Sequence, residues 1–506
     1  MNKRLYSLLL LIFILALIVR FLYFPDNVHF SFDQARDSFT SLEILKGHLK
    51  LIGPPSFLSN KLFPGPLIFY LYAPIYLIFH KSPEAASAFF RIWNALGVFL
   101  IFYIGSILFN KRVGIIAAIL FALSYEQSQY AIFLSHQPLA VISVLLFYLG
   151  LSLYIFQKKP WGILLSVLGL GLSIQFHYGF AFLIPTFIAY FILFRKKVVR
   201  VKIKWIILSI LVFIATTFSF VLTELKYKFV SNLILQYPDN TNSHFFSGIH
   251  LRETLFTINR FLHDLFIVNY RITPFLGIVL LITAIYLFKQ KQIKDKIIFL
   301  TIWFVFGLSL YIFSGVSSYY YSPATSVSLL IFVSYLISKL FSKGKNLWGI
   351  FTLFIIILSN LFSISTINPN GLNSDMVIQP GMTTSNQRQA LDYIYLQSQN
   401  QPFAVGGLTV PLSINTTWDY LFNWYGREKY GYLPVWIGPK AEGYPGSLKT
   451  INSRSNLPKK QFLIIEPTIG IRKFDIDNFL RVEGYFTKIV EEKKFGTISV
   501  QLRKPY

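Results

Sequence analysis

The sequence predicts an all-α polytopic membrane domain followed by a small extracytoplasmic α/β domain. Three observations predict it: 54% of the 506 residues are hydrophobic, only 14% are charged, and long apolar runs recur through most of the chain. A typical soluble domain carries about 25% charged residues, so the composition excludes one large water-soluble fold and intrinsic disorder. The chain contains no Cys, which excludes a disulfide scaffold, an iron–sulfur cluster and a thiolate zinc site.

A membrane-spanning helix needs about 20 mostly apolar residues, and we predict about 11 such helices within residues 1–367. The predicted spans cover residues 5–24, 89–109, 114–134, 139–157, 161–177, 178–194, 205–223, 273–288, 297–313, 322–341 and 346–366. Every second loop between them is basic, as expected of loops on the cytoplasmic side. We therefore predict a multi-pass protein of the plasma or inner membrane, with its N-terminus in the cytoplasm.

The charge distribution agrees with this topology. Residues 1–367 hold 31 Lys and Arg against 11 acidic residues, and the basic residues lie mostly in short loops, so the net charge of +25 does not indicate a nucleic-acid partner. External loop 25–88 contains a short apolar run, 66–80, which is interrupted by Pro74. We interpret this run as a juxtamembrane helix on the outer side, because counting it as a span would invert every later loop.

Residues 368–506 form the predicted extracytoplasmic α/β domain. Short apolar segments that are typical of strands occur at Phe403–Val405, Phe462–Ile465 and Thr497–Leu502, and the stretch around Gln387–Gln397 has helical spacing.

The first external loop carries the sharpest chemical motif. Asp33 and Asp37 are four residues apart and so share one helical face, with Arg36 between them. An ionised carboxylate beside a cation can accept a proton as a general base. The spacing is also compatible with an ordinary helix start in which Asp33 caps the helix and Arg36 points to solvent.

Other polar residues lie near the outer ends of the spans, and each has two readings. Glu126 either faces a cavity or lies among the lipid headgroups. Lys226 and Lys228 either attract the phosphate of a lipid substrate or bind anionic headgroups. His177 either contacts a substrate or bonds to neighbouring backbone.

The first loop resembles that of the GT-C glycosyltransferases that use polyprenyl-phosphate sugars, the group of the protein O-mannosyltransferases and the lipid A aminoarabinose transferase. Asp33-Gln34-Ala35-Arg36 is similar to their Asp-Glu-x-Arg motif after the first span. The Pro-bounded segment Gly65–Tyr70, then Arg91, and then Asn110-Lys111-Arg112 follow in the family's order. The resemblance implies a GT-C fold in which Asp33 is the catalytic carboxylate, with Asp37 beside it.

The resemblance also implies a set of substrate-binding residues near the outer face. These are Arg36, Arg91, Glu126, His136, Gln137, Gln175, His177, Glu224, Lys226, Lys228, Tyr319 and Tyr321. Two departures stand out: Ser135-His136-Gln137-Pro138 lacks the family's second acid, and Gly65 stands where some members have Lys. We expect that no cofactor is required, while a divalent metal held with the help of Asp37, Glu126 or His136 remains open.

We predict an integral membrane glycosyltransferase that moves a sugar from a polyprenyl-phosphate donor to an extracytoplasmic acceptor, with inversion and with Asp33 as general base. The donor sugar stays open, and so does the acceptor, whether a protein, a glycolipid or a polysaccharide. Two alternatives remain: a transporter or flippase of lipid-linked glycans, and a membrane scaffold with an external binding domain. A transporter should show polar residues at the bilayer midplane or matched broken helices.

Overall fold

The structure is a computed structural model that describes residues 3–54, 63–228, 248–314 and 323–506. The helices up to residue 367 are α1 (Lys3–Phe21), α2 (Phe32–Leu45), α3 (Leu67–Ile78), α4 (Pro83–Ala95), α5 (Gly97–Leu108), α6 (Lys111–Ala122), α7 (Tyr125–Ile132), α8 (His136–Phe156), α9 (Gly162–Phe176), α10 (Leu183–Phe194), α11 (Ile203–Tyr227), α12 (Gly248–Leu265), α13 (Thr273–Phe288), α14 (Lys294–Gly307), α15 (Ser309–Ser314), α16 (Val327–Ser342) and α17 (Asn346–Ile367). A short 3₁₀ turn, Tyr178–Phe182, precedes α10.

Five apolar segments of the described chain are long enough to cross a membrane: Lys3–Phe21, Pro83–Leu108, His136–Phe156, Ile203–Tyr227 and Asn346–Asn370. Five shorter apolar helices accompany them, at Leu67–Ile78, Gly162–Phe176, Tyr178–Phe194, Thr273–Phe288 and Val327–Ser342. The prediction of a polytopic helical domain is confirmed, whereas the count of about 11 spans is not.

Three predicted spans are wrong as single helices. The run 89–109 is divided between α4 and α5 at Leu96. The run 114–134 is divided between α6 and α7, because Ser124 starts a new helix by accepting a hydrogen bond from the backbone N–H of Gln127 at 3.3 Å. The run 297–313 is divided between α14 and α15. Helix α7 is buried along its whole length although four of its eight residues are polar, so it lies inside the bundle and does not face lipid.

Helix α3 lies in the predicted juxtamembrane run and contains Pro74. It has 12 residues, which is short for a membrane crossing. It packs mainly against α2, and also against α4 and α9. The buried residues of α3 include Ile68, Phe69, Tyr72 and Tyr76. Helix α3 therefore supports α2 by packing against it.

The C-terminal domain, which we call the external domain after its predicted location, is built on a six-stranded sheet of order β3-β2-β1-β4-β6-β5. Its elements are α18 (Thr384–Ser398), β1 (Phe403–Leu408), α19 (Thr416–Leu421), α20 (Arg427–Tyr430), β2 (Val435–Ile437), β3 (Thr450–Ile451), β4 (Lys460–Ile465), α21 (Lys473–Phe486), β5 (Thr487–Phe495) and β6 (Ile498–Pro505). Strands β3, β2, β1 and β4 are parallel, and β6 and β5 continue the sheet antiparallel. The predicted α/β character, the three strand segments and the helix are confirmed.

The segment before α2 is bound into this external domain. The Phe30 N–H donates to the Met382 carbonyl at 2.8 Å, and the Thr384 N–H donates to the Val28 carbonyl at 2.8 Å. Phe30 and Ala35 belong to the same hydrophobic core as the sheet. Helix α2 is therefore fixed between the membrane helices and the external sheet.

Candidate functional site

Gln34 fixes the first turn of α2. It stands where the family that this chain resembles commonly has an acid. Its side-chain oxygen accepts hydrogen bonds from the Ser31 N–H at 3.1 Å and the Ser31 hydroxyl at 2.8 Å. Its side-chain N–H₂ donates to the Leu134 carbonyl, just before α8, at 2.8 Å. A carboxylate has no such donor, so the amide is the group that ties α2 to the membrane bundle here.

Asp33, Arg36 and Asp37 form one ionic cluster on α2. One guanidinium nitrogen of Arg36 lies 2.7 Å from an Asp33 oxygen, and another lies 2.8 Å from an Asp37 oxygen. The Asp33 side chain is 65% exposed, whereas that of Asp37 is only 4% exposed. The structure thus brings the three predicted residues together and gives the two carboxylates different surroundings.

Those surroundings separate the two acids chemically. Burial raises the pKa of Asp37 to about 6; the Arg36 cation opposes this rise, and the charge of Asp33 adds to it. Burial also disfavours the charge of Arg36, but the two carboxylates together hold its pKa above the ordinary value. Asp37 therefore changes its protonation near neutral pH while Arg36 stays charged.

Two tyrosines that the sequence reasoning missed, Tyr72 and Tyr76, lie near enough to Asp37 for its charge to act on them. The Ser38 hydroxyl lies 2.7 Å from the Tyr76 hydroxyl, and Tyr72 and Tyr76 are both at most 2% exposed. The sequence feature that could have indicated them is the spacing of Tyr72 and Tyr76, which are four residues apart and so share one face of α3. They exclude water from the inner side of the cluster.

Hydrogen bonds gather the outer ends of α9 and α11 against the first external loop. The Gly65 N–H donates to the Gln175 carbonyl at 2.9 Å, and the Gln175 side chain donates to the Ser219 hydroxyl at 2.8 Å. The Thr223 hydroxyl donates to the Leu51 carbonyl at 3.2 Å. A Cβ atom on Gly65 would lie only 1.7 Å from the side-chain oxygen of Gln175, so this contact requires glycine.

The two predicted histidines lie side by side at the start of α8 and the end of α9. The rings of His136 and His177 are 5.5 Å apart and nearly parallel, and Nδ1 of His177 accepts a hydrogen bond from the Gly179 N–H at 3.0 Å. Gln137 is buried and accepts a hydrogen bond from the Ser135 hydroxyl at 2.5 Å. Arg36 is near enough for its charge to act on His136, so this pair borders the α2 cluster.

The last turn of α11 places Glu224 half-buried and leaves Lys226 and Lys228 exposed. The Lys228 N–H donates to the Glu224 carbonyl at 2.8 Å and ends the helix in a left-handed conformation. Both cations are thus available at the outer end of α11. Tyr319 and Tyr321, which were also predicted as binding residues, lie outside the described residues.

Arg91 is completely buried, and its guanidinium bonds within the protein. It donates to the Arg20 carbonyl, to the Asn27 side-chain oxygen at 2.8 Å and to the Ser87 hydroxyl at 3.1 Å. Arg91 also lies over the ring of Phe24. These contacts hold the end of α1 and the segment after it against α4, and so set the direction in which the chain enters the first external loop.

Glu126 is also completely buried. One of its carboxylate oxygens accepts hydrogen bonds from the Ser326 hydroxyl at 2.6 Å and the Gln127 side chain at 3.0 Å. Its neighbour Gln127 in turn accepts a hydrogen bond from Asn94 of α4. Within the described residues, neither Arg91 nor Glu126 shares a hydrogen bond with the α2 cluster, and both connect helices behind it.

The described residues contain no group of three His, Asp or Glu side chains arranged to hold a metal ion. Asp37 has its partner in Arg36, Glu126 is hydrogen-bonded to Ser326, and His136 stacks on His177. The three residues considered as ligands of a divalent metal therefore each contact a different partner within the described residues.

Comparisons with known proteins show which sequences and folds this chain is similar to. Residues 64–221 match the family model described as dolichyl-phosphate-mannose-protein mannosyltransferase. ArnT from Cupriavidus metallidurans shares the fold in its apo state, with a TM-score of 0.62 and 12% identity over 99% of this chain and 98% of that chain. The same protein bound to undecaprenyl phosphate gives a TM-score of 0.60 and 10% identity, with coverage of 99% and 98%.

The oligosaccharyltransferase of Archaeoglobus fulgidus is also similar, with a TM-score of 0.47 and 13% identity over 83% of this chain and 63% of that chain. A search of curated protein sequences gave no match. The helical bundle with its sheet domain aligns with ArnT along almost the whole length of both chains, so this chain has the fold of ArnT. The match to the mannosyltransferase family model lies within the helical bundle.

Proposed function

We propose that the protein transfers a sugar from a polyprenyl-phosphate donor to an acceptor outside the cytoplasm, with Asp33 as general base. The observation that carries this proposal is the cluster on α2, where an exposed carboxylate and a buried carboxylate share one arginine. The undecaprenyl phosphate bound to ArnT, a protein of the same fold, supports a polyprenyl-phosphate donor.

In the proposed reaction the acceptor O–H or N–H gives its proton to the Asp33 carboxylate. The acceptor atom bonds to the anomeric carbon of the donor while the bond from that carbon to the phosphate oxygen breaks, and its electron pair leaves with the lipid phosphate. One displacement inverts the configuration of the sugar, and Asp33 then returns its proton to water. A single carboxylate suffices, because the leaving phosphate needs no protonation by a second one.

The cations near α2 have a separate role in this proposal. Arg36 can meet two phosphate oxygens with its planar guanidinium, and Lys226 and Lys228 attract the lipid phosphate to the outer end of α11. Fixed cations in a site with little water stabilise the charge that develops on the leaving phosphate. His136, Gln137, Gln175, His177 and Glu224 border this region and would orient the sugar.

The position of the site relative to the membrane is part of the proposal. The basic loops predict that α2 and the external domain are outside the cytoplasm, and this orientation places Asp33 at the outer membrane surface. A polyprenyl tail can then remain in the lipid while its polar head reaches the chamber beside α2. We place the protein in the plasma or inner membrane on the same argument.

Replacing Asp33 by Asn tests the proposal. The substitution keeps the shape of the side chain but removes the proton acceptor, so sugar transfer in a reconstituted assay should fall by about 100-fold or more. Asp475→Asn is the matched control, because Asp475 also pairs with an arginine three residues away but lies in the external domain. The control should keep full activity.

The same experiment separates the enzyme from a transporter or flippase of lipid-linked glycans. A transporter that only moves the lipid should keep its activity when Asp33 becomes Asn, since no proton transfer is needed. Native rates of sugar transfer by Asp33→Asn would refute the assignment of the base. Donor binding that persists without transfer would support it.

A further inference from the structure

A large cleft lies between α2 and the external domain. Its volume is about 1450 Å³, which exceeds the roughly 300–1,000 Å³ of usual small-molecule sites. One wall is α2 with the segment that follows it, and the other is formed by α19, α20 and the loop at residues 439–447. Arg36 of the α2 cluster is part of the lining, so the cleft leads directly to the proposed site of transfer.

Aromatic side chains line both walls of this interdomain cleft. Phe32 on α2 and Tyr444 on the opposite loop meet edge to face at 5.7 Å, and Trp424 lies half-buried between α19 and α20. Aromatic rings offer large rigid faces at a low cost in side-chain entropy. Such faces suit the C–H surfaces of sugar rings.

The same lining carries a strong positive charge. Six of the lining residues are Lys or Arg and two are Glu. Lys50, Lys81, Arg427 and Lys440 form no ion pair with any residue in the part of the chain that the structure describes. Cations that lack acidic partners and surround a cleft attract an anionic ligand.

Hydrogen bonds fix the backbone of both walls of the interdomain cleft. The buried Asp419 of α19 accepts hydrogen bonds from the backbone N–H groups of Ser447 at 2.8 Å and Leu448 at 2.7 Å. On the opposite wall the Tyr70 hydroxyl lies 3.0 Å from the Lys50 N–H and 2.9 Å from the Lys50 carbonyl. Both walls are thus fixed before a ligand arrives, which lowers the entropy cost of binding.

We propose that this interdomain cleft binds the acceptor, and that the acceptor is an anionic saccharide, with its sugar rings on Trp424 and Tyr444 and its acidic groups on Lys50, Arg427 and Lys440. The inference rests on the proposed function and names the substrate class of that site. Acidic polysaccharides and phosphorylated glycolipid headgroups share this chemistry. A protein acceptor would not require both the aromatic faces and the excess of cations.

Direct binding to the full-length protein in detergent tests the proposal with four probes: oligogalacturonate, vesicles that contain a phosphorylated disaccharide lipid, an uncharged malto-oligosaccharide and poly-glutamate. We expect one or both anionic saccharides to bind, and the one that binds identifies the source. Trp424→Ala should weaken that binding about tenfold, and Lys50→Gln with Lys440→Gln should weaken it and reduce its dependence on salt. Tyr485→Ala and Lys473→Gln, on an exposed face away from the cleft, are the matched controls.

Three results would overturn the proposal: no binding of either anionic saccharide, equal binding of the uncharged oligosaccharide, or poly-glutamate binding that Trp424→Ala abolishes. Thermal unfolding of each variant identifies those that fail to fold, and the double lysine variant provides an independent test if Trp424→Ala is unstable. Asp33→Asn should still bind the anionic saccharides, at least as tightly as the native protein does, because it removes a negative charge beside Arg36 of the lining. Its binding therefore reports on the cleft, whereas its sugar transfer reports on the base.

Discussion

Replacing Asp37 by Asn perturbs the less exposed acid of the α2 cluster without changing its size. Burial raises the pKa of Asp37 from 3.8 to about 6, which corresponds to about 3 kcal/mol of preference for the neutral form. Below pH 4 the protonated form contributes this stability in full, and the contribution is lost as the pH rises through 6. The variant is neutral at every pH and should lack this component of the pH dependence.

The effect on activity follows from the shared arginine. When Asp37 is ionised, it shares the Arg36 cation with Asp33, which leaves the Asp33 carboxylate less tightly paired and freer to meet the acceptor. We therefore expect kcat/KM of the native protein to rise with pH around 6, and we expect Asp37→Asn to lack this rise and to be slower at neutral pH. In the variant Arg36 has Asp33 as its only carboxylate partner on α2, so the guanidinium competes with the acceptor for that carboxylate.

Two measurements check this reasoning. The first is the rate of sugar transfer between pH 5 and pH 8, and the second is thermal unfolding in detergent over the same range. Asp475→Asn controls for the loss of an arginine-paired acid elsewhere. An unchanged rise in activity near pH 6 in Asp37→Asn would refute the argument, because the titration would then belong to another group.

Two further predictions follow from contacts and exposure. Gly65→Ala should destabilise the protein and reduce transfer, because the new Cβ would lie 1.7 Å from the Gln175 side-chain oxygen and 2.8 Å from the Gln175 carbonyl oxygen. The added substitution Gln175→Ala should restore part of the lost stability but not the transfer, because Gln175 is itself proposed to orient the sugar; an absence of rescue in thermal unfolding would show that the side-chain contact is not the cause. Single cysteines at the exposed positions Asp33 and Lys473 should react with an impermeant thiol reagent on intact cells, whereas cysteines at Lys111 and Lys291 should not; the opposite pattern would reverse the proposed orientation.

The sequence predicted those elements that depend on local pattern. Apolar runs predicted the helical bundle, and short apolar segments bounded by turns predicted β1, β4 and β6, since both signals come from neighbouring residues. The spacing of Asp33, Arg36 and Asp37 predicted their cluster for the same reason. The break between α6 and α7 was missed because the apolar residues before Ser124 and after Gln129 were joined into one run, although Ser124 and Gln127 have the spacing of a helix start. The hydrogen bond from the Gln127 N–H to the Ser124 hydroxyl marks the new helix.

The sequence did not predict hydrogen-bond partners that are distant from each other along the chain. The family resemblance implied that Arg91 binds substrate, and the sequence did not indicate its hydrogen bonds to Arg20 and Asn27, which join segments more than 60 residues apart in the chain. Glu126 is similar, since its partner Ser326 is 200 residues away. A buried charge indicates that a partner exists, but not whether that partner is a substrate or another helix.

The attachment of α2 gives the external domain a direct part in the proposed reaction. Phe30 immediately precedes the cluster; its N–H donates to Met382, and its carbonyl accepts a hydrogen bond from Gln387 at 2.6 Å. On the other side, Gln34 bonds to Leu134 of the membrane bundle. A displacement of the external domain would therefore move Asp33 relative to the outer ends of α9 and α11, where we propose that the donor phosphate binds. Because the same domain forms one wall of the interdomain cleft, an acceptor that fills the cleft would also fix the base in place. Acceptor binding and catalysis would then be coupled through the single turn between Phe30 and Gln34.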